Sequence, residues 1–147
     1  DALCDAMEGL FGKGSIERSA KGENTLSAHG YQGDNRDHEI GKVAAVIRRK
    51  AIGSSSNDLP IRKERDGTWR LVISEYDAGE GSYAGGTPAV CSRLGWENCK
   101  GVKAIQGRLA QEYGMHVIKK MLPKNKTYTL ESETRQKDGV HIRVRIT

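Results

Sequence analysis

Residues 35–51, NRDHEIGKVAAVIRRKA, set Asp37, His38 and Glu39 directly ahead of a lean aliphatic stretch. Ile40, Val43, Ala44 and Ile47 recur at i, i+3, i+4 and i+7, one face of a 3.6-residue period. That spacing predicts an amphipathic helix around which the chain is organised. Asp37, or Asn35 just before it, offers a side-chain oxygen to an orphan backbone N–H at the helix head. Lys42, Arg48, Arg49 and Lys50 provide a cationic tail that suits a helix C-terminus. Charged residues at such a head commonly do no more than cap, so the stretch is both a cap and a candidate site.

A chain of 147 residues suits one domain, with an N-terminal helix and polar segment over 1–33 and the core of the module over 34–147. With 36% apolar and 5% aromatic residues, the core is expected to be small and aliphatic. No apolar run approaches the roughly 18 residues of a membrane span, so no membrane partner is expected. The chain opens on Asp without a signal peptide, which predicts a piece or processed product of something longer. The net charge of +5 is unevenly spread. From residue 100 onward eleven Lys and Arg face Glu112, Glu131, Glu133 and Asp138 alone. A basic final third fits a polyanionic partner, nucleic acid before membrane, because no Trp/Phe-rich amphipathic helix accompanies it.

The three cysteines, Cys4, Cys91 and Cys99, exclude a complete disulfide framework and favour a reducing compartment. Cys91 and Cys99 remain open to a bridge, a shared metal or two simple thiols.

Residues 1–12 predict a short helix ended by Gly12 and Gly14. Thr25 to His29 reads as a short strand within a glycine-dotted polar segment. Residues 53–58 are a loop, and 59–65 and 68–76 are strands joined by Asp66-Gly67, the strongest local turn signal in the chain. Residues 77–88 are glycine-rich loop without the lysine or spacing of a P-loop. Residues 102–122 predict a second helix, with Gly114 as a break and Pro123 as the stop. Residues 127–133 and 140–146 form a hairpin about Lys137-Asp138-Gly139. The expected fold is α+β, two main helices packed on a small, mostly antiparallel sheet.

Three constellations can carry function. In the first, a metal-dependent nucleobase hydrolase needs three ligands on one ion and a nearby carboxylate to shuttle a proton. Asp37, Cys91 and Cys99 would be the zinc ligands, Glu39 the shuttle and His38 its neighbour. In the second, no metal acts. His29, His38, His116 and His141 supply acid and base for RNA cleavage, His116 with His141 being the pair to test. In the third, a basic face with Trp96, Tyr113 and Tyr128 merely binds nucleic acid. Lys100, Lys103, Lys119, Lys120 and Arg143 are the expected phosphate contacts. A lone histidine is more often a satisfied surface residue than a catalyst.

Arg36-Asp37-His38-Glu39, followed by Ile40 and an aliphatic stretch, resembles the first motif of bacterial polymorphic-toxin deaminases, some of which use Asp where His is commoner. The similarity covers residues 35–131 in order of elements. It implies a deaminase-like α/β sandwich, zinc, and deamination of a base by Glu39. The family's second cysteine follows the first by three positions, whereas Cys99 lies eight beyond Cys91, about 12 Å along a continuous helix. Residues 92–98 must therefore loop back. The resulting expectation is a toxin module of a bacterial antagonism system, delivered to act on DNA or RNA in the target-cell cytoplasm. Zinc-dependent deamination is the first reading and metal-independent ribonuclease action the second. A small acidic immunity protein is its expected partner.

Overall fold

The computed structural model describes residues 2–53, 56–81, 87–97, 99–122, 128–136 and 139–146. Its centre is a four-stranded antiparallel sheet in the order β1 (Ile16–Arg18), β2 (Ala45–Ile47), β3 (Leu59–Lys63) and β4 (Trp69–Leu71). Two long helices, α1 (Ala2–Phe11) and α5 (Val102–Met121), pack against each other, and α1 also meets β1. The short helices are α2 (Asp37–Ile40), α3 (Glu75–Ala78) and α4 (Ala89–Leu94). A separate hairpin of β5 (Tyr128–Gln136) and β6 (Gly139–Ile146) packs on α5 through β6. The α+β expectation holds.

The organising helix over 35–51 does not form. Its first turn survives as α2, and Gly41, at φ 75°, takes the chain out of the helix. The residues beyond it become β2 and then a 3-10 turn, Arg49–Ala51. Val43 to Ile47 are all essentially inaccessible to solvent. Ala45 and Ile47 join the core that holds Met7, Phe11, Ile61 and Ile105, and Val46, of opposite parity, is equally buried. A strand buried on both faces loses its polar alternation, so the same apolar run fits a helical template as well. One of the two expected main helices is therefore replaced by α1.

The other differences are local. β4 stops at Leu71, and Ser74 begins α3, accepting from the backbone N–H of Asp77 at 3.1 Å. α4 follows Pro88 and ends on Gly95 at φ 69°. The expected strand at Thr25 to His29 reduces to bridges of Leu26 with Val43 and His29 with Asn35. α5 runs through Gly114 without a break, and its buried stripe is Ile105, Leu109, Glu112 and Met115. Pro123 and Thr127 lie outside the described residues, as do Lys137 and Asp138, although Gln136 pairs with Gly139 across them. Among the described residues no helix is long and apolar enough to cross a membrane.

Candidate active site

The residues expected to bind zinc sit in two places. Asp37 is the first residue of α2 and its N–H donates to Asn35 Oδ1 at 2.7 Å, but the N-cap is Arg36, which makes no side-chain cap bond, rather than Asp37 or Asn35 as the sequence suggests. Its carboxylate accepts from Lys42 at 2.8 Å and from Ser27 Oγ at 3.0 Å. The Lys42 contact comes first among the causes that hold Asp37 below the usual carboxylate range. Glu39 Oε2 accepts from Nε and Nη2 of the buried Arg36, at 3.3 and 3.1 Å. His38 is exposed.

Cys91 and Cys99 are buried and free. Cys91 and Cys99 do come together, but the meeting is of a different kind. Cys91 Sγ donates to the carbonyl oxygen of Cys99 at 2.6 Å. Burial first, then hydrogen bonding with Cys99, pushes the Cys91 thiol up to about 12. A zinc ligand needs the opposite, a thiol that gives up its proton readily. Among the described residues no three His, Cys, Asp or Glu side chains come together as a metal set. Asp37, Cys91 and Cys99 do not fit zinc, because the carboxylate is ion-paired with Lys42 and the three side chains do not converge on one point.

His116 and His141 are the pair expected to act without a metal, and the side chain of His141 lies outside the described residues. His116 lies half-buried in a cavity of about 200 Å³ between α1 and α5, beside Glu112 and Lys119, and its Nε2 has no hydrogen-bond partner. Strand register puts Arg143 and Arg145 on one face of β6. Glu133, which pairs with Lys119 of α5, is opposite Ile142 on the other face.

A different histidine does meet charged partners. Residues 28–36 fold back on themselves, with Arg36 N–H donating to the Ala28 carbonyl at 3.0 Å and Gly30 N–H to that of Asp34 at 2.8 Å. This places His29 beside residue 58, whose N–H donates to the His29 carbonyl at 2.9 Å. Asp58 is buried and fully engaged. Oδ2 accepts from the His29 N–H at 2.9 Å and from Arg48 Nη1 at 2.9 Å, and Oδ1 accepts from the Arg49 N–H at 2.7 Å.

Arg48 joins the two sides of this cluster. Its Nη1 lies 3.3 Å from His29 Nδ1 and also donates to the Ser27 carbonyl at 2.9 Å. Its Nε and Nη2 donate to Glu17 Oε2 at 2.9 and 2.7 Å. Burial works against the guanidinium charge, but the Asp58 and Glu17 carboxylates outweigh it and raise its pKa. His29 Nδ1 also lies 3.7 Å from Asp58 Oδ2, a carboxylate that an imidazolium at this position would face. His29 and Glu17 are 42% and 51% exposed, so both reach solvent, while Asp58 does not.

The expected phosphate contacts are mixed. Lys119 pairs with Glu133, and Lys120 with Asp5 at 3.2 Å. Lys100, Lys103, Arg143 and Arg145 are exposed. Trp96 lies under the Arg108 guanidinium, 5.0 Å from its ring centre, and Tyr113 is exposed on α5. The side chain of Tyr128 lies outside the described residues. A cleft of about 870 Å³ between α1, β4 and α5 is lined mainly by Leu3, Met7, Trp69, Leu71 and Leu109, and shares no residue with the His29 cluster. It lacks converging titratable groups, so the chemistry is assigned to the smaller, polar cluster. No family model, no curated protein and no solved structure matches this chain.

Proposed function

We propose that this domain cleaves RNA by metal-independent acid–base chemistry centred on Glu17, His29 and Arg48. The observation that carries this reading is the position of Arg48, which touches a solvent-reaching carboxylate on one side and a solvent-reaching imidazole on the other. Phosphodiester transesterification needs these three parts. Glu17 takes the proton of a ribose 2′-hydroxyl, and the 2′-oxygen attacks phosphorus. The bond from phosphorus to the 5′-oxygen breaks. Protonated His29 hands a proton to that leaving oxygen, giving a 2′,3′-cyclic phosphate and a 5′-hydroxyl. Arg48 balances the charge that gathers on the phosphoryl oxygens, and buried Asp58 holds Arg48 and the His29 backbone in place.

The net charge of +5 supports a polyanionic substrate. The expectations of a bacterial antagonism toxin, of action in a target-cell cytoplasm and of an acidic immunity protein belong to this same reading. A producing cell whose own RNA is at risk needs a small acidic protein that covers the basic face contributed from residue 100 onward. Base deamination is not carried forward, because its zinc ligands do not converge.

The test is incubation of the protein with total RNA and with an all-deoxy strand of matched sequence. The expected result is shortened RNA ending in 2′,3′-cyclic phosphate, an intact deoxy strand, and loss of cleavage in His29→Ala. RNA left at full length, or cleavage unchanged in His29→Ala, overturns the proposal.

A further inference from the structure

We infer that Tyr31 and Tyr76 form a stacking platform for an unpaired base of the RNA, which makes the substrate single-stranded; this rests on the ribonuclease reading above. Tyr31 is 48% and Tyr76 40% exposed, in a chain where Phe11 and most large apolar side chains are buried. Their rings stack on each other at 5.9 Å between centres and 28° between planes. Two tyrosines that lie face to face in solvent present a flat apolar surface, and every base has a π-face that can extend such a stack.

The pair is held by hydrogen bonds rather than by core packing. Tyr31 N–H donates to Asn57 Oδ1 at 2.9 Å, and Asn57 donates from its N–H and Nδ2 to the Asp77 carboxylate at 3.1 and 2.8 Å. Asp77 directly follows Tyr76 and also accepts from Ser74 Oγ at 2.8 Å. One network thus fixes both backbones that carry the rings. The same network continues into the cleavage cluster, because Asn57 precedes Asp58 and Tyr31 stands two residues from His29. Two residues of chain span at most about 7 Å, so Tyr31 stays close enough to His29 for a nucleotide whose phosphate meets Arg48 to lay its base on the tyrosines. In a duplex the bases are already stacked on one another and cannot reach a side-chain platform.

Fluorescence anisotropy with a labelled all-deoxy single strand, and with the duplex made from it, separates binding from cleavage, since neither carries a 2′-hydroxyl. The expected result is single-strand binding at least about tenfold tighter than duplex binding. Tyr31→Ala and Tyr76→Ala should each weaken the single strand about tenfold and leave the duplex unchanged, whereas Tyr31→Phe and Tyr76→Phe keep the affinity. Equal affinity for the two forms, or alanine variants that bind as the parent does, overturns the platform. If the platform binds as expected but RNA stays uncut, only the ribonuclease reading falls. If RNA is cut and the alanine variants bind unchanged, only the platform falls.

Discussion

The Sγ of Cys91 donates to the carbonyl oxygen of Cys99 across a backbone turn, at 2.6 Å. The contact keeps the proton on sulfur, in a buried site where a thiolate is poorly solvated. Its consequence is a pH dependence with a definite sign. The folded state retains the proton from the ordinary value of 9.0 up to about 12, whereas the unfolded chain loses it near the ordinary value. This contribution to stability is therefore complete below 9.0 and disappears as pH climbs through the raised value. Urea unfolding followed across that alkaline interval should show stability falling, with a shallower fall in Cys91→Ala. The same protein, purified from a reducing cytosol, should carry no stoichiometric zinc by elemental analysis. One zinc per chain that vanishes in Cys91→Ala would restore the metal set.

Asp58 and Glu17 flank the same guanidinium but should differ sharply when removed. Asp58 is buried and accepts three hydrogen bonds, one of them from the His29 N–H, so Asp58→Ala leaves Arg48 partly buried without its inner partner. Breaking a buried pair on one side typically costs about 3–5 kcal/mol, and thermal unfolding should show a loss of that order. Glu17 is half-exposed, and a pair of that kind contributes about 0–1 kcal/mol. Glu17→Gln should thus unfold near the parent temperature while losing RNA cleavage. Equal destabilisation by the two changes, with activity following stability, would reduce the cluster to a structural ion network.

The parts of the fold readable from sequence are those specified by neighbours in the chain. Asp66-Gly67 defines the β3–β4 turn locally, with Gly67 at φ 85°, and α5 is long enough for its period to dominate. The stretch after Asp37 misleads because Ile40, Val43, Ala44 and Ile47 satisfy a helical period while Val43 to Ile47 form an unbroken apolar run. Gly41 and the β-branched residues Val43, Val46 and Ile47 were the signals for a strand. Ser74, inside the expected strand 68–76, and Pro88, at the end of the expected loop 77–88, likewise marked the starts of α3 and α4. The site is less legible. His29 meets Arg48 across 19 positions and Arg48 meets Glu17 across 31, so no short spacing announces them. Asp37, His38 and Glu39 form a dense motif in the chain, yet the two carboxylates serve ion pairs with Lys42 and Arg36 and the imidazole faces solvent.

The charges of the basic surface should not contribute equally to phosphate binding. Lys119 and Lys120 each hold a carboxylate, so part of their charge is neutralised locally. Arg143 and Arg145 share one exposed face of β6. Titrating a labelled single strand at several salt concentrations should show a slope reduced by about 1 in Arg143→Gln, and by less in Lys119→Gln. The reverse ranking would move the phosphate track from the hairpin to the end of α5.

His29, Glu39 and His116 separate the chemistries. Loss of a general acid typically lowers the rate by about 10²–10⁴-fold, and His29→Ala should fall in that range on single-stranded RNA. Its fold should be nearly untouched, because Asp58 is bound by the backbone N–H of residue 29, not by the imidazole alone. His29→Gln serves as the control that keeps a polar side chain beside Arg48 without a transferable proton, and it should be as inactive as His29→Ala. Glu39→Gln should retain cleavage within a few-fold, since its carboxylate engages Arg36 at the head of α2. His116→Ala should also retain cleavage, its ring being enclosed between α1 and α5. Measuring all four variants under one set of conditions, with circular dichroism to verify folding, gives the ranking directly. If Glu39→Gln is the inactive one and RNA strands stay full length with altered bases, the α2 motif carries the chemistry and the His29 cluster only supports the fold.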